Sequence, residues 1–160
     1  MNPFEVLKLP PKMDLDLGEL ERAYLQRSRE CHPDFHHDAN PQKHAAVVAR
    51  SADINDAYRA LSDPWTRARI LIERGQTGTI ERSKDLCPMF LMEMMDQTET
   101  IAKATDEERA SLREQLESRV TKSLEQLHAL VIDKRWEEAA VLFHQSKYHR
   151  KAVGDLRNLP

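Results

Sequence analysis

The densest run of reactive side chains lies at His32-Pro33-Asp34-Phe35-His36-His37-Asp38, where three imidazoles and two carboxylates fall within seven positions. Imidazole and carboxylate are competent ligands for a divalent cation that keeps a position open for a reactive water, so one reading is a metal-dependent hydrolase. Hydrolases of that kind add distant ligands on an α/β scaffold, and no β-alternating segment competes with helix in this chain. A second reading is a turn. Pro33 forbids His32 from continuing as α-helix and pushes its imidazole into a loop, while Asp34 can stabilise the turn or accept hydrogen bonds. The tripeptide is then either punctuation or a presented recognition element, and its neighbours distinguish the two.

Two amphipathic helices flank it. Asn2, Pro3 and Glu5 form a compact helix start, and Pro10-Pro11 stops that short helix. Asp16 and Glu19 start a second, running to Cys31, in which Leu17, Leu20, Tyr24, Ser28 and Cys31 share one stripe expected to be buried. Arg22, Gln26 and Arg29 project from the opposite side, a ridge leading toward His32 and a candidate docking surface. After the loop, Asn40-Pro41 opens a third helix whose apolar positions Val47, Ser51, Ile54, Tyr58 and Leu61 predict antiparallel packing on the second. Asp63-Pro64 ends it and starts a fourth, with Trp65, Ala68 and Ile72 inward, closing a first unit over residues 1–74.

Bulk composition fits two small helical units. The chain has 160 residues, 40% hydrophobic and 32% charged, with a net charge of −3. That balance describes a soluble surface and gives no push toward nucleic acid, which favours a clearly basic face. No run reaches membrane-spanning length and the N-terminus has no leader character, so a cytoplasmic protein is expected. Cys31 and Cys87 stand far apart with no CxxC, implying neither a disulfide framework nor a cysteine zinc site. No cofactor or structural metal is expected.

Gly75 and Gly78 with their polar neighbours mark residues 75–87 as a linker. Residues 88–160 then read as a three-helix bundle. Pro88 begins one helix, and Thr105 with Glu108 begins a long one bearing Leu112, Leu116, Val120, Leu124, Leu127 and Val131. Asp133 begins the last, with Trp136, Ala139, Ala140 and Phe143 inward. On the first of the three, Phe90, Met94 and Ile101 cluster on a face suited to the core. Leu91, Met92, Met95, Asp96 and Glu99 occupy a neighbouring face that mixes adaptable apolar groups with carboxylates, a combination suited to gripping a partner.

The order of helices, with His32-Pro33-Asp34 between the second and third and Ile54-Asn55-Asp56-Ala57-Tyr58-Arg59-Ala60-Leu61-Ser62-Asp63-Pro64 following, resembles the J domain of DnaJ-type co-chaperones. Phe90-Leu91-Met92-Glu93-Met94-Met95-Asp96-Gln97-Thr98-Glu99, with the linker and bundle, is similar to the HscB family, the J-type co-chaperones of iron–sulfur cluster assembly, in its bacterial form. The resemblance implies an all-α, non-enzymatic protein. His32, Pro33, Asp34, Arg22, Gln26 and Arg29 would dock on an HscA/DnaK-type chaperone and accelerate its ATP hydrolysis. Leu91, Met92, Met95, Asp96, Glu99 and an aromatic, Tyr148, would bind the IscU-type iron–sulfur scaffold protein; neither nucleic acid nor membrane would be a partner. A general J protein for unfolded clients is the alternative that keeps the first mechanism and changes the client.

The chain departs from the family in its loop. A J domain typically has Lys or Arg after the Asp; here Phe35 follows, then His36 and His37, so loop charge depends on histidine protonation. Glu19, Glu21 and Glu30 also offset Arg22, Arg27 and Arg29, leaving only the outward face of the second helix positive. Eukaryotic relatives carry an N-terminal tetracysteine zinc module, whereas this sequence opens on the J-like unit.

Overall fold

Short polar side chains and prolines set the helix starts. The Asn2 side-chain oxygen accepts a hydrogen bond from the Phe4 N–H and Pro3 opens α1 (Pro3–Val6); the Asp16 side chain accepts from the Glu19 N–H and opens α2 (Leu17–Glu30). Between α3 (Pro41–Ser62) and α4 (Pro64–Gly75), the Asp63 carboxylate accepts from the Thr66 N–H at 2.8 Å. The short α5 (Thr79–Arg82) precedes α6 (Pro88–Lys103), α7 (Asp106–Ile132) and α8 (Trp136–Asn158). At α7, Thr105 and Glu108 form the reciprocal capping box. This computed structural model describes residues 2–31 and 41–158, and all regular structure there is helical, as the sequence predicts. The chain divides into two units, Met1–Leu71 and Ile72–Pro160.

In the first unit α2 and α3 pack antiparallel. Tyr24 lies with its ring centroid 4.5 Å from that of Tyr58 and donates its hydroxyl to the Asn55 side chain at 2.9 Å, while Cys31 lies beside Ala46 and Val47. Phe4, Leu7, Leu20, Ile54, Ala57, Leu61, Trp65 and Ala68 are buried. Of the stripe expected on α2, Leu20 and Cys31 are buried and Tyr24 and Ser28 half-buried, and Arg27, outside that stripe, is buried with them. Leu17 is 60% exposed; Met13 and Leu15 of the preceding loop are the buried apolar groups there instead. Asn40, expected to open α3, lies outside the described residues.

Two arginines tie this core together. Arg27 donates through Nε to the Val6 carbonyl at 3.1 Å and pairs with Glu30. Arg67 donates through Nε to the Leu61 carbonyl at 2.9 Å and through a terminal nitrogen to the Met13 carbonyl at 2.7 Å. Burial lowers the Arg67 pKa, with Asp63 and Asp14 opposing that shift. Between them the two guanidiniums satisfy carbonyls at the ends of α1 and α3 and in the loop before α2.

The second unit includes more than three helices. The stretch 75–87, read from the sequence as a linker, contains α5, which packs on α8 with Thr79 fully buried. The Glu73 carboxylate accepts from the Gly78 and Ile80 N–H groups at 2.8 and 2.9 Å, and His144 Nε2 lies 2.7 Å from the Ile80 carbonyl. The glycines serve packing here. A Cβ on Gly75 would lie 2.4 Å from the Trp136 indole, and Gly78 takes a left-handed φ of 79°. α7 and α8 run antiparallel, with Ile101, Leu116, Val153 and Leu156 forming one core cluster and Arg157 closing on Glu117 at 2.8 Å. Their turn differs from expectation. Asp133 caps the end of α7 rather than opening α8, Lys134 takes a left-handed φ of 58°, and α8 starts at Trp136.

His149 is the unusual member of this core. It is 6% exposed, its Nδ1 has no hydrogen-bond partner, and burial followed by the charge of Arg119 lowers its pKa from 6.5. The imidazole is thus neutral at pH 7.

Replacing Arg67 by Leu strands two carbonyls and should destabilise the protein by roughly 2–4 kcal/mol, read by denaturant unfolding. His149 makes a separate prediction. Because its folded pKa is depressed, unfolding takes up a proton as pH falls below 6.5, so stability is full above that value and declines beneath it until the folded form also protonates. Wild type should therefore lose more stability than His149→Phe between roughly pH 7.5 and 5.5 in parallel denaturation series; equal losses would contradict the assignment.

Candidate partner-docking surfaces

The first surface lies on α2. Arg22, Gln26 and Arg29 are all exposed, and their spacing of four and three residues puts them on one side of the helix. Gln26 donates to Glu30 at 3.5 Å. Two of the three acids that offset these bases in the sequence are engaged elsewhere: Glu19 pairs with Lys12 at 3.2 Å, and Glu30 pairs with the buried Arg27. The outward cations are Arg22 and Arg29, while Arg27 acts within the fold. His32, Pro33 and Asp34, together with His36, His37 and Asp38, lie outside the described residues.

The second surface lies on α6 and α8. Met94 and Ile101 of α6 are buried, whereas Met92 and Met95 are 65% and 72% exposed. Two adjacent stripes result. Leu91, Met94, Met95 and Thr98, at i, i+3, i+4 and i+7, line one wall of a groove of about 400 Å³; Tyr148, Lys151, Ala152 and Asp155, with the same spacing on α8, line the other. Met92, Asp96 and Glu99 form the neighbouring exposed stripe outside the groove, with Glu99 paired to Lys103. The structure thus brings Leu91, Met95 and Tyr148 together and sets Met92, Asp96 and Glu99 beside them.

The groove extends beyond the residues expected from the sequence. Lys151 pairs with Asp155 at 3.0 Å on its wall, and outside it Met89 is a further exposed apolar group at 70% exposure. The signal was available: Tyr148, Lys151 and Asp155 share a helical face by spacing alone. Tyr148 is itself held edge-on by Phe90, with ring centroids 5.6 Å apart. The surface is apolar at its centre with carboxylates beside it, an arrangement that binds a partner through hydrophobic anchors and a polar rim. Among the described residues, no helix is long and apolar enough to cross a membrane.

Comparison with known proteins gives these surfaces a family. The DnaJ domain model matches residues 2–70, and a model described as the HSCB C-terminal oligomerisation domain matches residues 86–156. A protein named co-chaperone protein HscB homolog from Aliivibrio fischeri (strain MJ11) is 30% identical over 165 residues, covering 99% of this chain and 96% of its own length. The protein of the same name from Bordetella petrii is 33% identical over 141 residues, covering 86% of this chain and 82% of its own. Among solved structures, chaperone HscB from Vibrio cholerae superposes with a TM-score of 0.79 at 28% identity, over 98% of this chain and 96% of that one. Human co-chaperone protein HscB shares the fold, with a TM-score of 0.82 at 18% identity over 98% and 81% of the two chains. With a J domain, a C-terminal HscB domain and relatives matched over nearly its whole length, this chain belongs to the HscB family of J-type co-chaperones.

Proposed function

We propose that this protein is a non-enzymatic adaptor that brings an IscU-type iron–sulfur scaffold protein to an HscA/DnaK-type chaperone in the cytoplasm and stimulates that chaperone's ATPase. Residues 1–74 act on the chaperone. The His32-Pro33-Asp34 loop, with Arg22, Gln26 and Arg29, binds the hydrolysis-competent state more tightly than the other state, which is how a ligand without catalytic groups accelerates a partner's reaction. Residues 88–160 carry the scaffold on Leu91, Met92, Met95, Asp96, Glu99 and Tyr148. The observation that carries this reading is the exposed methionine face of α6 beside the Tyr148 groove, on a domain of the HscB type. Methionine adapts its shape to a partner, and the carboxylates beside it select against acidic surfaces. Covalent linkage of the two activities raises the concentration of scaffold at the chaperone without any new contact.

The activities should separate by mutation. His32→Gln should abolish stimulation of HscA ATP hydrolysis while scaffold affinity, measured calorimetrically, stays at the wild-type value; normal stimulation by the variant would remove the tripeptide from the mechanism. Conversely, changing Leu91, Met92 and Met95 together to Ala should weaken scaffold binding at least about tenfold, since central apolar anchors dominate interface energies. Stimulation in the absence of scaffold should persist in that variant. Undiminished scaffold binding would exclude the α6 face as the docking site.

A further inference from the structure

Tyr148 and His149 are consecutive on α8, the first 42% exposed at the groove and the second buried. Phe90 of α6, partly buried, meets both rings. It stands at 88° to Tyr148 with centroids 5.6 Å apart and at 85° to His149 with centroids 5.9 Å apart. Edge-to-face contacts at these distances are directional, because the positive edge of one ring meets the negative face of another. An exposed tyrosine otherwise exchanges among its rotamers and loses that freedom when a partner binds. Here one side of the ring is walled before binding. His149 fixes Phe90 in turn, and because its Nδ1 makes no hydrogen bond, no polar contact through that atom pulls the imidazole away from the stack.

We propose that Phe90 is a positioning residue for scaffold binding: wedged between the buried His149 and the exposed Tyr148, it holds the Tyr148 ring at the mouth of the groove in the orientation the partner meets. This inference rests on the proposed scaffold role of the α6–α8 face. It predicts that Phe90 acts through Tyr148 and not through a contact of its own.

A double-mutant cycle on the full chain, with the IscU-type scaffold as titrant, decides it. Phe90→Leu keeps apolar bulk and removes the ring; in the wild-type background it should weaken binding roughly 3- to 10-fold, the size of an aromatic pair's directional contribution. In the Tyr148→Ala background the same change should cost less than about twofold. Phe90→Tyr, which keeps the ring, should restore affinity to near the wild-type value. In ATPase assays Phe90→Leu should raise the scaffold concentration for half-maximal stimulation and leave the plateau unchanged. Tyr148 ring-proton resonances should move toward their unstructured positions in Phe90→Leu, with helical circular dichroism intact. Equal losses in both backgrounds, or wild-type affinity in Phe90→Leu, would overturn the proposal while leaving the face in place. Unchanged binding in Tyr148→Ala alone would instead remove Tyr148 from the scaffold site and the positioning role with it.

Discussion

Helix α6 carries more apolar surface than its seam with the bundle can cover. Met94 and Ile101 fill that seam, and Met89, Met92 and Met95 remain in water on the turns between and before them. Burying a methionine side chain is worth roughly 1.5–3 kcal/mol, so three exposed ones represent stability the fold alone does not collect. A partner that covers them gains part of that energy, reduced by the entropy of association. The groove beside this stripe follows from the same restriction: α6 touches α8 along a narrow line, which leaves Leu91 and Met95 on one wall and Tyr148 on the other. The face is flexible in its methionines and fixed in its aromatics.

Charge in the first unit is divided between interior and exterior by geometry rather than by composition. Arg27 and Arg67 donate to backbone carbonyls at helix ends and in a loop, and their long apolar stems are buried with the core they tie together. Lys12 and Arg27 in turn occupy Glu19 and Glu30. What α2 presents outward is therefore more positive than its net composition of acids and bases suggests. A positive face speeds encounter with an acidic surface and fixes orientation more than it adds affinity.

Much of this fold could be read in advance, for local reasons. Asn2, Asp16, Asp63 and Thr105 are short polar side chains placed ahead of apolar periodicity, and all four accept the hydrogen bonds their positions predict. The family resemblance also stands, because it rested on two matched units and not on a tripeptide. What sequence could not supply was tertiary. Arg27 counts as polar in any periodicity sum, yet a carbonyl left open at the end of α1 draws it inward. Gly75 and Gly78 read as marks of a linker, whereas the Trp136 indole and a left-handed turn require them. Asp133 looks like a helix start by type, and the left-handed Lys134 beside it makes it a helix end. On the α6 face, spacing separated the buried Met94 and Ile101 from the exposed Met92, Met95, Asp96 and Glu99, but left Phe90 and Leu91, both half-buried, on different faces and could not show that Leu91 and Met95 share a groove with Tyr148.

In the proposed function a single chain joins a chaperone-stimulating activity to a scaffold-carrying one. Steady-state ATP hydrolysis by HscA, measured with a fixed amount of this protein while the IscU-type scaffold is titrated, tests that joining directly. Stimulation should rise well above the sum of the effects of protein and scaffold added separately, saturating with the scaffold's affinity for the α6–α8 face. Stimulation that ignores the scaffold at every concentration would contradict the proposed function and leave a general J protein in its place.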